Sequence, residues 1–223
     1  MCFAPYISFS TFVIEFLLAV FFLFKNPRDN LNRIISLISF LLGLYQLNEF
    51  LICVTDINLF TKFAMIMIII LPGLAISYAL IIFRKKIKFY WHMLIYAPAV
   101  FFILMFVLSN YLNQSAFCST IFIEYPYLGL LGKFLGLYYL LYLSASIILF
   151  YFASSKITSK YEKVLSNLGI LGMFIFVVPT FIFLLFLPAL QIQFPSVLCE
   201  FALLLAIEFI FVLWYKDKHN LMY

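Results

Sequence analysis

The stretch FTKFAMIMIIILPGLAISYALIIFRKKIK, residues 60–88, is an apolar run that ends in a basic cluster. A helix needs about 20 mainly apolar residues to cross the hydrocarbon core of a bilayer, and the run over 60–83 is long enough to do so. Lys and Arg collect in the cytoplasmic connections of membrane proteins. This stretch therefore predicts a transmembrane helix that ends in the cytoplasm.

The same alternation of apolar runs and basic clusters covers the whole chain. Apolar runs lie at about 6–24, 34–54, 60–83, 89–109, 128–152, 164–187 and 194–215. Twelve of the 14 basic residues fall in every second gap, as Lys25/Arg28/Arg33, Arg84/Lys85/Lys86/Lys88, Lys156/Lys160/Lys163 and Lys216/Lys218. We predict an all-α polytopic membrane protein, a single domain over 1–223 built as a bundle of seven transmembrane helices. The positive-inside rule places its N-terminus outside and its C-terminus in the cytoplasm.

The composition excludes a water-soluble protein. The chain is 67% hydrophobic and 10% charged, with a mean hydropathy of +1.16. Soluble domains are about 45–50% apolar and about 25% charged. The net charge of +5 comes mainly from residues that flank the spans, so it predicts contact with the bilayer and not with nucleic acid.

Four acidic residues lie inside the spans: Glu15, Glu49, Glu200 and Glu208. An ionisable group at this depth costs several kcal/mol unless it is paired or faces a cavity, so each is a candidate functional residue. Glu49 and Glu200 each lie about five residues inside the outer boundary and therefore share a depth. The alternative is a set of protonated carboxyl groups whose hydrogen bonds only hold helices together.

Helical spacing groups the polar residues into an outward-facing pocket between spans one, two and seven. Gln46 and Glu49 are three residues apart, and Thr11 and Glu15 are four apart, so each pair shares one helix face. Lys133 in span five is a candidate counter-charge. The predicted ligand-binding residues are Thr11, Glu15, Gln46, Glu49, Lys133 and Glu200.

All four cysteines, Cys2, Cys53, Cys118 and Cys199, fall on the predicted outer side, which is oxidising in most cells. Disulfides would tie the N-terminus and the polar loop over 110–127 to the tops of spans two and seven. Four cysteines allow three connectivities, and we favour those that join Cys118 to Cys2 or Cys199. Free thiols remain an alternative. A four-cysteine metal site lacks C-x-x-C spacing, so no metal is predicted.

Other motifs bear on packing more than on chemistry. Gly132 and Gly136 form a G-x-x-x-G pair that favours close helix packing, within the chain, in a homo-oligomer or with a membrane-protein partner. Prolines inside spans three, four and six predict kinks; they are Pro72, Pro98 and Pro179. No H-E-x-x-H, G-x-S-x-G or P-loop motif occurs, so we expect neither a cofactor nor an enzymatic activity.

Two sets of short motifs carry a resemblance to known proteins. Asn26-Pro27-Arg28 with Asn32-Arg33, followed by LYQLNEF at 44–50, resembles the first two spans of the seven-helix membrane region of some prokaryotic histidine kinases. Ile7-Ser8-Phe9 with Glu15, the Gln46/Glu49/Cys53 face and PSVLC at 195–199 resemble stand-alone seven-span prokaryotic membrane proteins of unknown function. The resemblance implies a prokaryotic plasma membrane and a sensor function. Because no output domain follows residue 223, we expect such a sensor to need a partner protein.

Three functions follow from these features. We predict a membrane protein that binds or senses a small molecule or lipid in the outward-facing polar pocket. A small proton-coupled transporter is the alternative, with Glu208 as the candidate for an acidic path inward. A structural subunit of a membrane complex would instead use the Gly132/Gly136 face.

Overall fold

The computed structural model describes the backbone of residues 4–55, 57–84, 88–108, 117–118, 123–124, 129–186 and 195–223, and the side chains of 6–55, 57–84, 88–108, 129–175, 177–179 and 201–223. Its helices are α1 (Ala4–Lys25), α2 (Asn30–Thr55), α3 (Asn58–Ile82), α4 (Phe89–Leu108), α5 (Gly129–Lys156), α6 (Lys160–Phe186) and α7 (Pro195–Lys218). Two short strands, β1 (Phe117–Cys118) and β2 (Ile123–Glu124), pair antiparallel. The predicted helical fold and its seven helices are confirmed.

The helices have the dimensions of membrane spans. They contain 20 to 28 residues, which at 1.5 Å per residue corresponds to about 30–42 Å. Over the described residues, α1 to α6 are each long and apolar enough to cross a membrane. The described side chains of α7 include four charged groups, Glu208, Lys216, Asp217 and Lys218, three of them at its end. These dimensions fit a helical membrane bundle.

Helix α3 lies at the centre of the packing, in contact with α2, α4, α5 and α6. Helix α7 packs against α6 and also reaches α1 and α2. The contacts therefore run in a closed ring through α1, α2, α3, α5, α6 and α7, and α4 lies outside this ring. Only Ala99, Phe102 and Phe106 are buried among the described residues of α4, so most of its surface is left for lipid.

Ion pairs bring the basic clusters to one end of the bundle. Lys25 at the end of α1 lies 2.5 Å from Asp217 in α7, and Arg84 after α3 lies 2.5 Å from Glu162 in α6. We call this the basic end. It contains the last turns of α1, α3 and α7 and the first turns of α2 and α6.

Helix α3 continues through Pro72, and a tyrosine of α5 compensates for the missing backbone donor. Proline has no N–H, so the carbonyl of Ile68, four residues earlier, loses its partner within the helix. The Tyr139 hydroxyl donates to this carbonyl, and the Tyr138 hydroxyl donates to Ile69 O at 3.1 Å. Neighbouring helices commonly satisfy backbone groups freed by proline in membranes.

A similar contact supports α4 near Pro98. The Tyr142 hydroxyl donates to the carbonyl of Ile95 at 3.0 Å, three residues before the proline. Tyr138, Tyr139 and Tyr142 therefore tie α5 to the proline-containing segments of α3 and α4. The sequence predicted the prolines inside the helices but not these donors.

Close helix approach occurs at glycines other than the predicted pair. A Cβ added to Gly73 would lie 2.8 Å from the Tyr96 ring, and one added to Gly169 would lie 2.4 Å from the Phe150 ring. Gly132 and Gly136 are only partly buried on α5. Their proposed role in a contact with another chain stays a prediction.

Candidate functional site

A stripe of polar and small residues runs along the face of α2 that packs against α1. Its members recur every three or four residues, which is the spacing of one helix face. We call this stripe, with the α1 residues that it contacts, the polar seam. On α2 it comprises Asn32, Ser36, Ser39, Gly43 and Gln46, and the four polar side chains are buried.

Hydrogen bonds to backbone carbonyls hold the seam together near the basic end. Asn32 Nδ2 donates to Phe22 O at 3.0 Å, and Ser36 Oγ donates to Ala19 O at 2.6 Å. Both carbonyls belong to α1. The small side chain of Ser36 and the glycine further along the stripe let the two backbones approach closely, as is common between membrane helices.

Glu15 of α1 lies opposite Gly43, the one position of the seam at which α2 has no side chain. Its Cβ is 3.4 Å from the position that a Cβ on Gly43 would occupy. The Glu15 side chain is 1% exposed, and neither carboxyl oxygen has a hydrogen-bond partner among the described residues. A buried polar atom without a partner is uncommon in native structures and calls for a bound group or a protonated state.

The other predicted residues of α1 and α2 are buried near the end opposite the basic end. Thr11 and Gln46 are both buried. Glu49 is buried one turn beyond Gln46, and its Oε1 accepts a 2.6 Å hydrogen bond from the Tyr45 hydroxyl. The structure therefore distinguishes Glu49, which has this partner, from Glu15. Sequence reasoning did not identify Tyr45, although it precedes Glu49 by one helical turn.

Lys133 does not join these residues. Its side chain is exposed on α5, a helix that packs mainly against α3 and α6. The ion pairs among the described residues do not include Lys133. The sequence assigned it as a counter-charge from its depth alone, and depth does not reveal which helices are neighbours.

Several predicted residues fall outside the described side chains. They are Glu200 and the cysteines Cys2, Cys118 and Cys199. The juxtaposition of Glu200 with Glu49 therefore stays a prediction. Cys53 is described, partly buried near the end of α2 and with an interaction partner.

A buried ionic cluster at the basic end was not predicted. Lys216 of α7 is 1% exposed; its Nζ donates to Asn32 Oδ1 and lies 3.4 Å from Asp29 Oδ1. Asp29 Oδ1 also accepts from the backbone N–H of Leu31 at 2.9 Å, which caps the start of α2. We call Asp29, Asn32 and Lys216 the basic-end lock. The sequence did not indicate this cluster, because the predicted second span began at residue 34 and left Asp29 and Asn32 in a connection.

The lock also holds the last residues of the chain. The N–H of Tyr223 donates to Asp29 Oδ2 at 3.1 Å, and its carbonyl accepts from the N–H of Asn30 at 3.1 Å. Asn32 belongs to both the lock and the polar seam. One continuous run of buried polar contacts thus joins the basic end to the α1–α2 interface.

The described residues contain no group of three or more His, Cys, Asp or Glu that could hold a metal ion. The chemistry of the seam is instead that of carboxyl, amide and hydroxyl groups, which can bind protons and cationic or hydrogen-bonding ligands. In comparisons with known proteins, no protein-family model, no curated protein and no solved structure matches the chain.

Proposed function

We propose that this chain is a multi-pass membrane protein of the plasma membrane that binds a small cationic ligand between α1 and α2. In this proposal its N-terminus is outside and its C-terminus is cytoplasmic, and ligand binding is sensed at the basic end. The observation that carries the proposal is Glu15, buried at 1% exposure with both carboxyl oxygens free of hydrogen-bond partners among the described residues.

The chemistry of the seam favours a ligand with an ammonium group. A carboxylate in a low-dielectric site is stabilised by an opposite charge, and an ammonium group brings three donors. Gln46 and Thr11 are the buried polar side chains expected to fix the ligand beside Glu15. Binding sites commonly combine apolar walls with a few polar groups of this kind.

The connection to the basic end supports sensing. Asn32 contacts both the α1 carbonyl of Phe22 and the buried Lys216 of α7. A ligand that shifts α1 against α2 would therefore change contacts of the basic-end lock. Discrete rearrangements of packed helices are an established means of coupling two sites.

Ligand binding can be measured by thermal unfolding of the protein in lipid nanodiscs. Ethanolamine and putrescine are the probes, and ethylene glycol is the neutral control. We expect at least one of the amines to raise the unfolding temperature, because a ligand at 100 times its Kd stabilises the folded state by about 2.7 kcal/mol. Glu15→Gln should abolish the shift, because it removes the charge while keeping the shape.

Glu208→Gln is the matched control, because it neutralises a second buried carboxyl group on α7. It should retain the amine-dependent shift. The proposal fails if none of the amines stabilises the protein, or if Glu15→Gln keeps the shift.

A proton-coupled transporter is the second candidate function. Glu208 favours it, because this carboxyl group is also buried without a partner among the described residues. Proteoliposomes with an imposed pH gradient separate the two functions. Accumulation of a probe amine against its gradient indicates transport, whereas saturable binding without accumulation indicates a sensor.

We propose in addition that a disulfide joins Cys53 to Cys118 at the end opposite the basic end. Support comes from the backbone contact between α2 and strand β1, which contains Cys118, and from the fact that Cys53 already has an interaction partner. This pairing differs from those favoured by the sequence, which joined Cys118 to Cys2 or Cys199.

Peptide mapping without reduction tests the pairing. We expect a crosslinked peptide pair containing Cys53 and Cys118, which reduction separates. Cys53→Ser should expose one new alkylatable thiol at Cys118, and Cys2→Ser should leave the crosslink intact. A crosslink from Cys118 to Cys2 or Cys199, or four alkylatable thiols in the unreduced protein, would refute it.

A further inference from the structure

A second buried carboxyl group lies where α7 meets α6. Glu208 is 4% exposed, and its Oε2 is 2.9 Å from the position that a Cβ on Gly172 would occupy. Both carboxyl oxygens lack a hydrogen-bond partner among the described residues. Gly172 therefore provides the space for this carboxyl group, as Gly43 does for Glu15.

Tyr78 of α3 packs against the turn of α7 that contains Glu208, because its ring contacts Phe209, the next residue along the chain. Tyr78 is fully buried, and its hydroxyl, like the Glu208 carboxyl group, has no hydrogen-bond partner among the described residues. Its ring makes edge contacts with Phe150 at 5.1 Å and Phe209 at 5.9 Å between centroids. A carboxyl and a phenol thus share an apolar enclosure formed by α3, α5, α6 and α7.

We propose that Glu208, with Tyr78 beside it, is a proton-binding site inside the membrane that exchanges protons with water at the basic end. A hydronium ion delivers the proton: one of its O–H bonds breaks and leaves water, and an O–H bond forms to one carboxylate oxygen. The resulting acid O–H can donate to the Tyr78 hydroxyl oxygen, which a carboxylate cannot do. The site is separate from the α1–α2 seam, so the inference does not rest on cation binding at Glu15.

Groups along α3 and α6 mark a route from Glu208 to the basic end. Tyr223 packs against the buried core to which Tyr78 belongs, and its ring lies 4.9 Å from the Arg84 guanidinium. Arg84 is paired with Glu162 at the surface of the basic end. Burial raises the pKa of Tyr223 to about 12, so this phenol keeps its proton at ordinary pH. Because Tyr223 is partly buried between the core and Arg84, we expect its ring to hinder water from reaching the buried carboxyl group.

Among the described residues, the other charged groups near α7 do not neutralise the Glu208 carboxylate in place of a proton. Gly172 presents no ionisable side chain from α6. Among the described residues, the ion pairs that connect α7 to α1 and to the start of α2 lie at the basic end: Lys25 with Asp217, and Asp29 with Lys216. From α3, Tyr78 is the ionisable side chain for which a contact with this part of α7 is described.

Infrared difference spectroscopy of the protein in lipid nanodiscs tests the inference. We expect a carboxylic-acid C=O band at neutral pH that Glu208→Gln removes and that titrates away in alkaline buffer. Glu15→Gln is the matched control and should leave this band in place. In deuterated buffer, the band should shift slowly in the wild type and several-fold faster in Tyr223→Ala, which opens the route to the basic end.

Three results would overturn the inference. The first is that Glu208→Gln removes no carboxylic-acid band, which means that Glu208 is ionised. The second is that added sodium abolishes the band at constant pH, which indicates a cation site. The third is that Tyr223→Ala leaves the exchange rate unchanged. If Glu208→Gln does not fold, Tyr78→Phe replaces it: the loss of the hydroxyl should shift the band, and an unshifted band contradicts the proposal.

Discussion

Replacing Lys216 with Met should lower the free energy of unfolding by about 3–5 kcal/mol, because it leaves the buried carboxylate of Asp29 without its counter-charge. Lys216 and Asp29 side chains are each 2% exposed and lie 3.4 Å apart, so solvent screens their interaction little. The same substitution removes the donor to Asn32 Oδ1. Met preserves most of the apolar length of the side chain, so the loss reports chiefly on charge and hydrogen bonding.

The measurement is unfolding in mixed micelles with increasing denaturing detergent, followed by circular dichroism. Lys218→Met is the matched control, because Lys218 is exposed two residues further along the same helix. Its cation–π contact with Trp214 is 4.9 Å long, and its loss should cost less than about 1 kcal/mol. Equal effects of the two substitutions would show that overall charge, and not the buried pair, matters.

A double variant separates the stability that comes from the Asp29–Lys216 ion pair from the stability that comes from the surrounding hydrogen bonds. Asp29→Asn keeps an oxygen that can accept from the Leu31 N–H but removes the negative charge. In the Lys216→Met background it should therefore recover a substantial part of the lost stability, since no buried charge then remains unpaired. If the double variant is no more stable than Lys216→Met alone, the lost stability comes from the contacts of Asn32 or of the last residues of the chain, and not from the unpaired charge of Asp29.

The seven helices were predictable because the bilayer imposes a strict rule on the sequence. Backbone groups in lipid must be satisfied within the segment, so each span appears as a long apolar run. The apolar run over 60–83 corresponds to α3 (Asn58–Ile82), and the run over 164–187 corresponds to α6 (Lys160–Phe186). Helix ends were less predictable, because the first turn of α2 is polar and the sequence placed it in a connection.

The site was predictable only in part, because helical spacing reveals faces but not neighbours. Glu15, Gln46 and Glu49 stood out as polar residues in apolar runs, and the structure buries all three. Gly43 did not stand out, because its role follows from the position of Glu15 on another helix. Lys216 was interpreted as a marker of topology, since a lysine at a helix end is usually exposed.

Replacing Tyr139 with Phe should lower the free energy of unfolding by about 1–2 kcal/mol, because it leaves the Ile68 carbonyl without a donor. The carbonyl depends on Tyr139 only because Pro72 has no N–H to offer within α3. Tyr139 is buried, so water does not replace the hydroxyl. The same unfolding assay in mixed micelles measures the loss.

Pro72→Ala provides the decisive background, because it restores a backbone N–H that can bond to Ile68 O within α3. Tyr139→Phe should then cost about 1 kcal/mol less than it does in the wild type, and this difference is the coupling energy of the double-mutant cycle. Tyr142→Phe is a control, since its acceptor Ile95 lies in α4 and its cost should not depend on residue 72. If Tyr139→Phe costs the same in both backgrounds, the hydroxyl stabilises α5 for a reason unrelated to the proline. If the coupling is present, the Tyr139 hydroxyl offsets the cost of a proline in α3, the central helix of the bundle.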